Sequence, residues 1–162
     1  MPFLFVVNII NDHDVNPARV TRISLYYCKH ITDKAIIAIA DTCPNLTYLD
    51  VDWCNVTGAG IDAIARKCRK LKKLHAACCN ISHLPEDIGM ILPHLTKLSL
   101  FDNYIQKIPA SLGPLADTLT TFNIDENPIQ QPPRKIAKKG LHAIRGYYDE
   151  LADKGEWIYN TK

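Results

Sequence analysis

Leu46-Thr-Tyr-Leu49-Asp-Val51-Asp-Trp53-Cys54-Asn-Val56-Thr57 is the stretch on which the fold turns. Leu46, Leu49 and Val51 hold its first, fourth and sixth positions, and Cys54 its ninth. Four further segments align with it: VTRISLYYCKHI from Val20, LKKLHAACCNIS from Leu71, LTKLSLFDNYIQ from Leu95 and LTTFNIDENPIQ from Leu119. Successive starts lie 26, 25, 24 and 24 residues apart. Every segment repeats the apolar or small residue at positions one, four and six, and Cys or Asn at position nine. Self-similarity at such a period is the mark of a stacked repeat architecture.

Positions four and six share one face of a short strand, because side chains alternate. One such strand cannot bury its own apolar row, whereas a parallel stack of them forms a continuous core. Position nine falls where the chain turns out of the strand. A buried Asn or Cys there bonds to backbone groups of the turn and stitches neighbouring coils together.

The pattern LxxLxLxx(N/C) resembles the leucine-rich repeat. The resemblance implies an α/β solenoid shaped as a horseshoe, with parallel strands on the concave face and helices and helical turns on the convex face. It divides the chain into an N-terminal cap or linker (1–19), five repeats (20–133, starting at 20, 46, 71, 95 and 119), and a C-terminal capping helix with a linker (134–162).

Two repeat subtypes are fused. ITDKAIIAIADTCPNL (Ile31 to Leu46) and VTGAGIDAIARKCRKL (Val56 to Leu71) resemble the cysteine-containing repeats of F-box leucine-rich-repeat proteins. Ile36, Ile37, Ile39 and Ala40, then Ile61, Ile64 and Ala65, have the spacing of convex-side helices, with Asp33 and Thr57 as caps. Ile105-Gln-Lys-Ile108-Pro109 and Ile129-Gln-Gln-Pro132-Pro133 resemble the shorter L-x-x-L-P type, and the third repeat is a hybrid ending Ile81-Ser-His-Leu84-Pro85.

A solenoid must close its terminal cores. At the front, Phe3-Leu-Phe-Val-Val and Ile9-Ile10 either supply an apolar cap or continue repeats that precede Met1 in a longer protein. At the back, Ile136, Leu141, Ile144, Tyr147, Tyr148 and Leu151 share one side of a helix expected from about Lys135 to Ala152. Gly140 and Gly146 are its weak points. NPIQQPPRKIAKKGLHAIRGYYDEL, from Asn127, resembles the segment preceding the Roc GTPase domain in Roco-family proteins. No G-x-x-x-x-G-K-[ST] occurs, so no nucleotide chemistry is assigned to these residues.

Composition narrows the function. With 162 residues, 47% hydrophobic and 22% charged, the chain is neither collagen-like nor wholly disordered. A formal charge of +2 gives no reason to expect nucleic acid or an anionic membrane as partner. The amino terminus lacks an export signal, and the reading is a reducing, cytoplasmic location. Five of the six cysteines then fall into the repeat: Cys28, Cys54 and Cys79 at position nine, Cys43 and Cys68 at the ends of convex helices. Cys78 alone should face out. His75, Cys78, Cys79 and His83 are close in sequence, but Cys79 is needed inward and the CxxC pairing is missing, so no metal or cofactor is expected. No GxSxG or HExxH is present, and the segment is read as non-enzymatic. The basic run Arg66 to Lys73, six cations in eight residues, spans a helix end and the next strand's start, where cations suit the helix dipole.

A surface remains. Positions three, five, seven and eight should face the concave side, and from them come the candidate contacts Tyr26, Tyr27, Tyr48, Asp50, Asp52, Trp53, His75, Lys97, Phe101 and Asp125. Aromatics on a rigid face suit protein-binding hot spots, or else stack on one another across strands. Arg22, Lys73 and Lys97 make one edge basic; Asp52, Asp102, Asp125 and Glu126 make the other acidic. The chain thus reads as a protein-interaction module, monomeric as an isolated segment, with a protein as partner and no membrane. Its sharper form is the recognition segment of a Roco-type GTPase or kinase. The alternative is a substrate-recruiting component of a ubiquitin ligase, although no F-box is visible in residues 1–19.

Overall fold

A computed structural model describes residues 16–155. The apolar run at the amino terminus and the last seven residues of the chain lie outside the described residues. Five three-residue strands form one parallel sheet in sequence order: β1 (Arg22–Ser24), β2 (Tyr48–Asp50), β3 (Lys73–His75), β4 (Lys97–Ser99) and β5 (Thr121–Asn123). The register stacks equivalent repeat positions, so Ile23, Leu49, Leu74, Leu98 and Phe122 form one column. The first four are buried, and Phe122, on the last strand, is half-buried against the same core. Position six follows suit: Leu25, Val51, Ala76, Leu100 and Ile124 are all buried. Burial of one apolar column against the next is the main stabilising term.

The 26-residue first period has a local cause. One extra residue follows Cys28, so Ile31 takes the inward slot that Val56 and Ile81 take one position earlier; all three are fully buried.

On the convex side lie α1 (Asp33–Thr42) and α2 (Gly58–Lys67). Ile36, Ile39 and Ala40, and Ile61, Ile64 and Ala65, face the sheet and are buried, as their spacing predicts. Ile37 does not join them; it sits on the solvent side and is exposed. Thr57 caps α2, its hydroxyl oxygen accepting from the Ala59 N–H at 3.2 Å. Asp33 does not cap α1. It lies in that helix's first turn and reaches the start of α2 instead.

The shorter repeats have only α3 (Ile88–Ile91) and a 3-10 segment (Ala110–Asp117) containing Pro114, which lacks the N–H that a continued helix would use. The single closing helix expected over 135–152 is broken in two, α4 (Arg134–Ala137) and α5 (Leu141–Asp153). The break is at Gly140, whose φ of +89° an L-residue adopts only with strain. α5 turns its Leu141, Ile144 and Tyr148 face onto the core, packs along Ala110–Asp117, and donates the Tyr148 hydroxyl to the Ile108 carbonyl at 2.6 Å. The basic run is dispersed: Arg66 pairs with Asp62 and Asp87, Lys67 with Asp41, and Lys70 bonds to Asn45.

Position nine forms a ladder. The Cys54 thiol points at the Leu25 carbonyl (3.1 Å) and the Cys79 thiol at the Val51 carbonyl (3.2 Å). The Asn103 amide donates to the Ala76 carbonyl (2.8 Å) and Asn127 to the Leu100 carbonyl (2.8 Å). Each asparagine also accepts, from the Ile81 N–H at 3.0 Å and the Ile105 N–H at 2.9 Å respectively. Both are the only buried polar residues of the described core, and no buried side-chain polar atom among the described residues lacks a partner.

Candidate interaction surface

The concave face is set by the strand alternation that buries positions four and six. Positions three and five project from the opposite side: Arg22 and Ser24 are exposed, Tyr48, Asp50, His75 and Lys97 half-buried among their neighbours. Beyond each strand the chain must swing its ninth side chain inward. It does so through a left-handed residue at position eight in every repeat: Tyr27 (φ 61°), Trp53 (63°), Cys78 (53°), Asp102 (54°) and Glu126 (56°). None is glycine, so each costs on the order of 1 kcal/mol of backbone strain. The N–H of that residue donates to the next repeat: Tyr27 to the Asp52 carbonyl, Trp53 to Ala77, Cys78 to Phe101 and Asp102 to Asp125, at 2.8–3.0 Å. The ladder therefore continues past the strands and holds the position-eight side chains outward in a row.

The aromatic residues form two groups. Tyr26, Tyr27 and Trp53 are contiguous, with ring centroids 6.3 Å apart for the first pair and 6.1 Å for the second, and all remain exposed (59%, 55% and 44%). The Lys29 ammonium stands 4.8 Å from the Tyr27 ring centroid. The second group sits beside it on the strands. The Arg22 guanidinium lies 4.1 Å from the Tyr48 centroid, and Tyr48 is 5.6 Å from His75. Burial and the neighbouring Asp50 raise the Tyr48 hydroxyl above its usual pKa, so it stays a neutral donor at physiological pH.

The carboxylates between them are partly spent on structure. Asp50 accepts from the Asp52 N–H at 3.1 Å and from the Ser24 hydroxyl at 3.4 Å, and Asp52 accepts from the Ala77 N–H at 2.7 Å. Desolvation raises the Asp52 pKa, the Ala77 bond opposing it. Ala77 and Cys78 leave a shallow centre, after which Phe101, Asp102, Asp125 and Glu126 are exposed at the far end. Lys97 lies on β4. Of the ten residues singled out from the sequence, Tyr26, Tyr27 and Trp53 are brought into one patch, Tyr48, Asp50, Asp52 and His75 adjoin it, and Lys97, Phe101 and Asp125 stand apart.

Two features were not legible in the repeat pattern. The left-handed column depends on tertiary pairing that no periodicity reports. Lys29 belongs to the one-residue insertion of the first repeat. Arg22, by contrast, shares position three with Tyr48, and the register pairs the two as the repeat predicts. His75, Cys78, Cys79 and His83 do not gather: Cys79 points into the core, and the His83 ring packs over Gly58, where an added Cβ would meet it at 2.5 Å. Among the described residues no cluster of three or more His, Cys, Asp or Glu is placed to hold a metal, and no helix is long and apolar enough to cross a membrane.

A family model described as Leucine Rich repeat matches residues 42–65. F-box/LRR-repeat protein 12 of Arabidopsis thaliana is 32% identical over 82 residues, 48% of this chain and 20% of that protein. F-box/LRR-repeat protein 4 of Bos taurus is 29% identical over 99 residues, 56% of this chain and 16% of that protein. The chain thus spans a fifth or less of the length of these relatives. The tropomodulin C-terminal domain of Caenorhabditis elegans superposes with a TM-score of 0.52 over 95% of this chain and 98% of that one; at 8% identity this speaks to fold alone. Sheet, register and family match agree on the fold, an α/β leucine-rich-repeat solenoid with its strands in one parallel sheet.

Proposed function

We propose that the chain binds a protein partner through its concave face, centred on Tyr26, Tyr27 and Trp53. The observation that carries this is the exposure of three contiguous aromatic rings on a scaffold fixed by backbone ladders. Rigid aromatic side chains cost little entropy to immobilise and dominate the energy of protein interfaces. Tyr48, Asp50, Asp52 and His75 form the polar margin, with Lys97, Phe101 and Asp125 as outlying contacts. Exposed aromatic rings with a polar margin favour recognition over chemistry. All six thiols are free, which suits a reducing, cytoplasmic location.

A partner captured by the intact chain should be lost on Trp53→Ala or Tyr27→Ala, with circular dichroism and urea midpoint close to the parent. Retained binding by both folded variants would sink the reading.

A second reading, a substrate-recruiting component of a ubiquitin ligase, is favoured by the cysteine-bearing repeats and by the F-box relatives. It expects ligase subunits to co-purify with the natural full-length product. The Roco-type reading rests on the closing segment from Asn127 and expects a phosphate-loop motif soon after Lys162 in the same reading frame.

A further inference from the structure

The ladder that joins the repeats has a direction. At position six each N–H donates to the next repeat: Leu25 to Asp50, Val51 to His75, Ala76 to Ser99 and Leu100 to Asn123, at 2.7–2.9 Å. At position eight the pattern recurs through Asp102 to Asp125. Among the described residues no repeat follows the fifth, and the N–H groups of Ile124 and Glu126 find no acceptor there. The closing helix α5 does not supply one, because it packs along the convex Ala110–Asp117 segment rather than beside β5.

Beside this open edge lies a cleft of about 360 Å³, lined by Ile124 and Glu126 themselves and, across from them, by α4. Its apolar surfaces come from Phe101, Ile124, Ile129 and Ala137. Asp125 and Glu126 stand on the concave rim, Arg134 and Lys138 on the helix wall, and none of these four makes an ion pair among the described residues. An unpaired strand edge is a template for another strand, and addition of an extended peptide to such an edge is a recurrent mode of recognition.

We propose that the outer edge of β5 receives an extended segment of a partner protein as a sixth parallel strand, with an apolar side chain in the cleft and an adjacent Lys or Arg beside Asp125 and Glu126. Alternation fixes this pairing of side chains: a residue at the added position six points inward over Ile124, and the next points to the concave side, where the carboxylates stand. Backbone carbonyls of the added strand accept from Ile124 and Glu126. Its far edge lies beside α4, where Arg134 and Lys138 donate to the remaining carbonyls. The cleft shares Phe101 and Asp125 with the outlying contacts of the concave face, but it lies at the other end of the sheet from Tyr26, Tyr27 and Trp53 and does not depend on them.

Amide hydrogen exchange on the full chain, free and with a short capped peptide of alternating valine and lysine, tests this. In the free protein the Ile124 and Glu126 amides should exchange on the order of a hundredfold faster than the equivalent Leu100 and Asp102 amides. Saturating peptide should slow both by roughly tenfold or more. The Asp125→Lys, Glu126→Lys double variant, at two exposed positions, should weaken the peptide by about tenfold. A peptide N-methylated on the edge facing β5 should have no effect. Protection of both amides already in the free protein, protection that rises with protein concentration alone (a second copy on the edge), equal binding of a valine–glutamate peptide, or binding without slowing of these amides would each overturn the proposal. Trp53→Ala should leave all of these readouts unchanged, so failure here and failure of the aromatic surface are distinguishable.

Discussion

Asp33 and Thr57 join the first two convex helices: the Asp33 carboxylate accepts the Thr57 hydroxyl at 2.6 Å and the Thr57 N–H at 2.9 Å. It also accepts the Gly60 N–H at 3.1 Å, so one side chain of α1 serves three donors at the start of α2. Such N-terminal donors have no partner within their own helix. Gly60 is glycine for the same reason, since a Cβ there would stand 2.5 Å from Asp33 Oδ1.

Asp33→Ala should therefore cost about 1–3 kcal/mol by urea denaturation, the range for charge-assisted bonds whose donors lose their acceptor. Gly60→Ala should be destabilising alone and less so in the Asp33→Ala background, because the nearer clash is gone while Val56 Cγ1 at 2.9 Å remains. Additive effects in that cycle would show that Asp33 and Gly60 do not interact.

The sequence pattern carries the sheet and core almost completely, because both depend on period alone. Leu49, Leu74 and Leu98 recur where strand alternation requires, and the inward columns follow. Asp33 shows where periodicity stops. A residue next to a helix start looks like that helix's cap, yet its partners are set by how two coils stack, 24 residues apart in the chain. The break at Gly140 was half legible, since glycine weakens a helix without saying whether the chain needs the turn. Tyr27 and Trp53 were legible as outward aromatics, but their left-handed backbones and the Lys29 contact arise from the turn between strand and ninth position, which residue type does not encode.

Asn103 and the cysteines fill the same repeat position with different bonding capacity. Asn103 donates to the Ala76 carbonyl and accepts from the Ile81 N–H, whereas the Val56 N–H of the preceding coil is left to face the Cys79 sulfur. Sulfur is the weaker acceptor. Asn103→Cys should fold but lose about 1–2 kcal/mol, and Asn103→Leu more, because both Ile81 and Ala76 then keep unsatisfied buried groups. A midpoint equal to that of the parent in Asn103→Cys would refute the accounting.

The thiols predict both a reagent count and an alkaline limit. Cys78 alone is partly accessible, so a disulfide reagent should titrate one thiol in the native chain and six in denaturant. Burial pushes the Cys54 and Cys68 thiols up to about 12 and Cys79 up to about 11, from an ordinary value of 9.0. Each is held neutral in the fold, so its contribution is fully present below pH 9 and is lost as pH rises toward 11–12. Urea midpoints should fall across that window. Cys68→Ala should flatten the fall at some cost in stability at neutral pH, and an unchanged profile would count against the buried thiols as its cause.

Trp53 separates stability from recognition most sharply. Its φ of 63° is a conformation glycine adopts freely and tryptophan does not, and its side chain lies beside the Tyr27 ring with 44% of the residue exposed. The turn imposes that conformation on position eight of every repeat, so what sets Trp53 apart is its large exposed ring. Trp53→Gly should relieve about 1 kcal/mol of strain, offset by glycine's unfolded-state entropy and the lost Tyr27 contact, leaving the urea midpoint within about 0.5 kcal/mol of the parent. Glu126→Gly, at the same backbone angle with no aromatic neighbour, should be neutral to stabilising. Partner capture should fall at least tenfold for Trp53→Gly and stay unchanged for Trp53→Phe only if the contact is apolar; loss in both points to the indole N–H as donor. A Trp53→Gly protein that is strongly destabilised would instead make Trp53 a packing residue and remove the aromatic patch's claim to be a binding site.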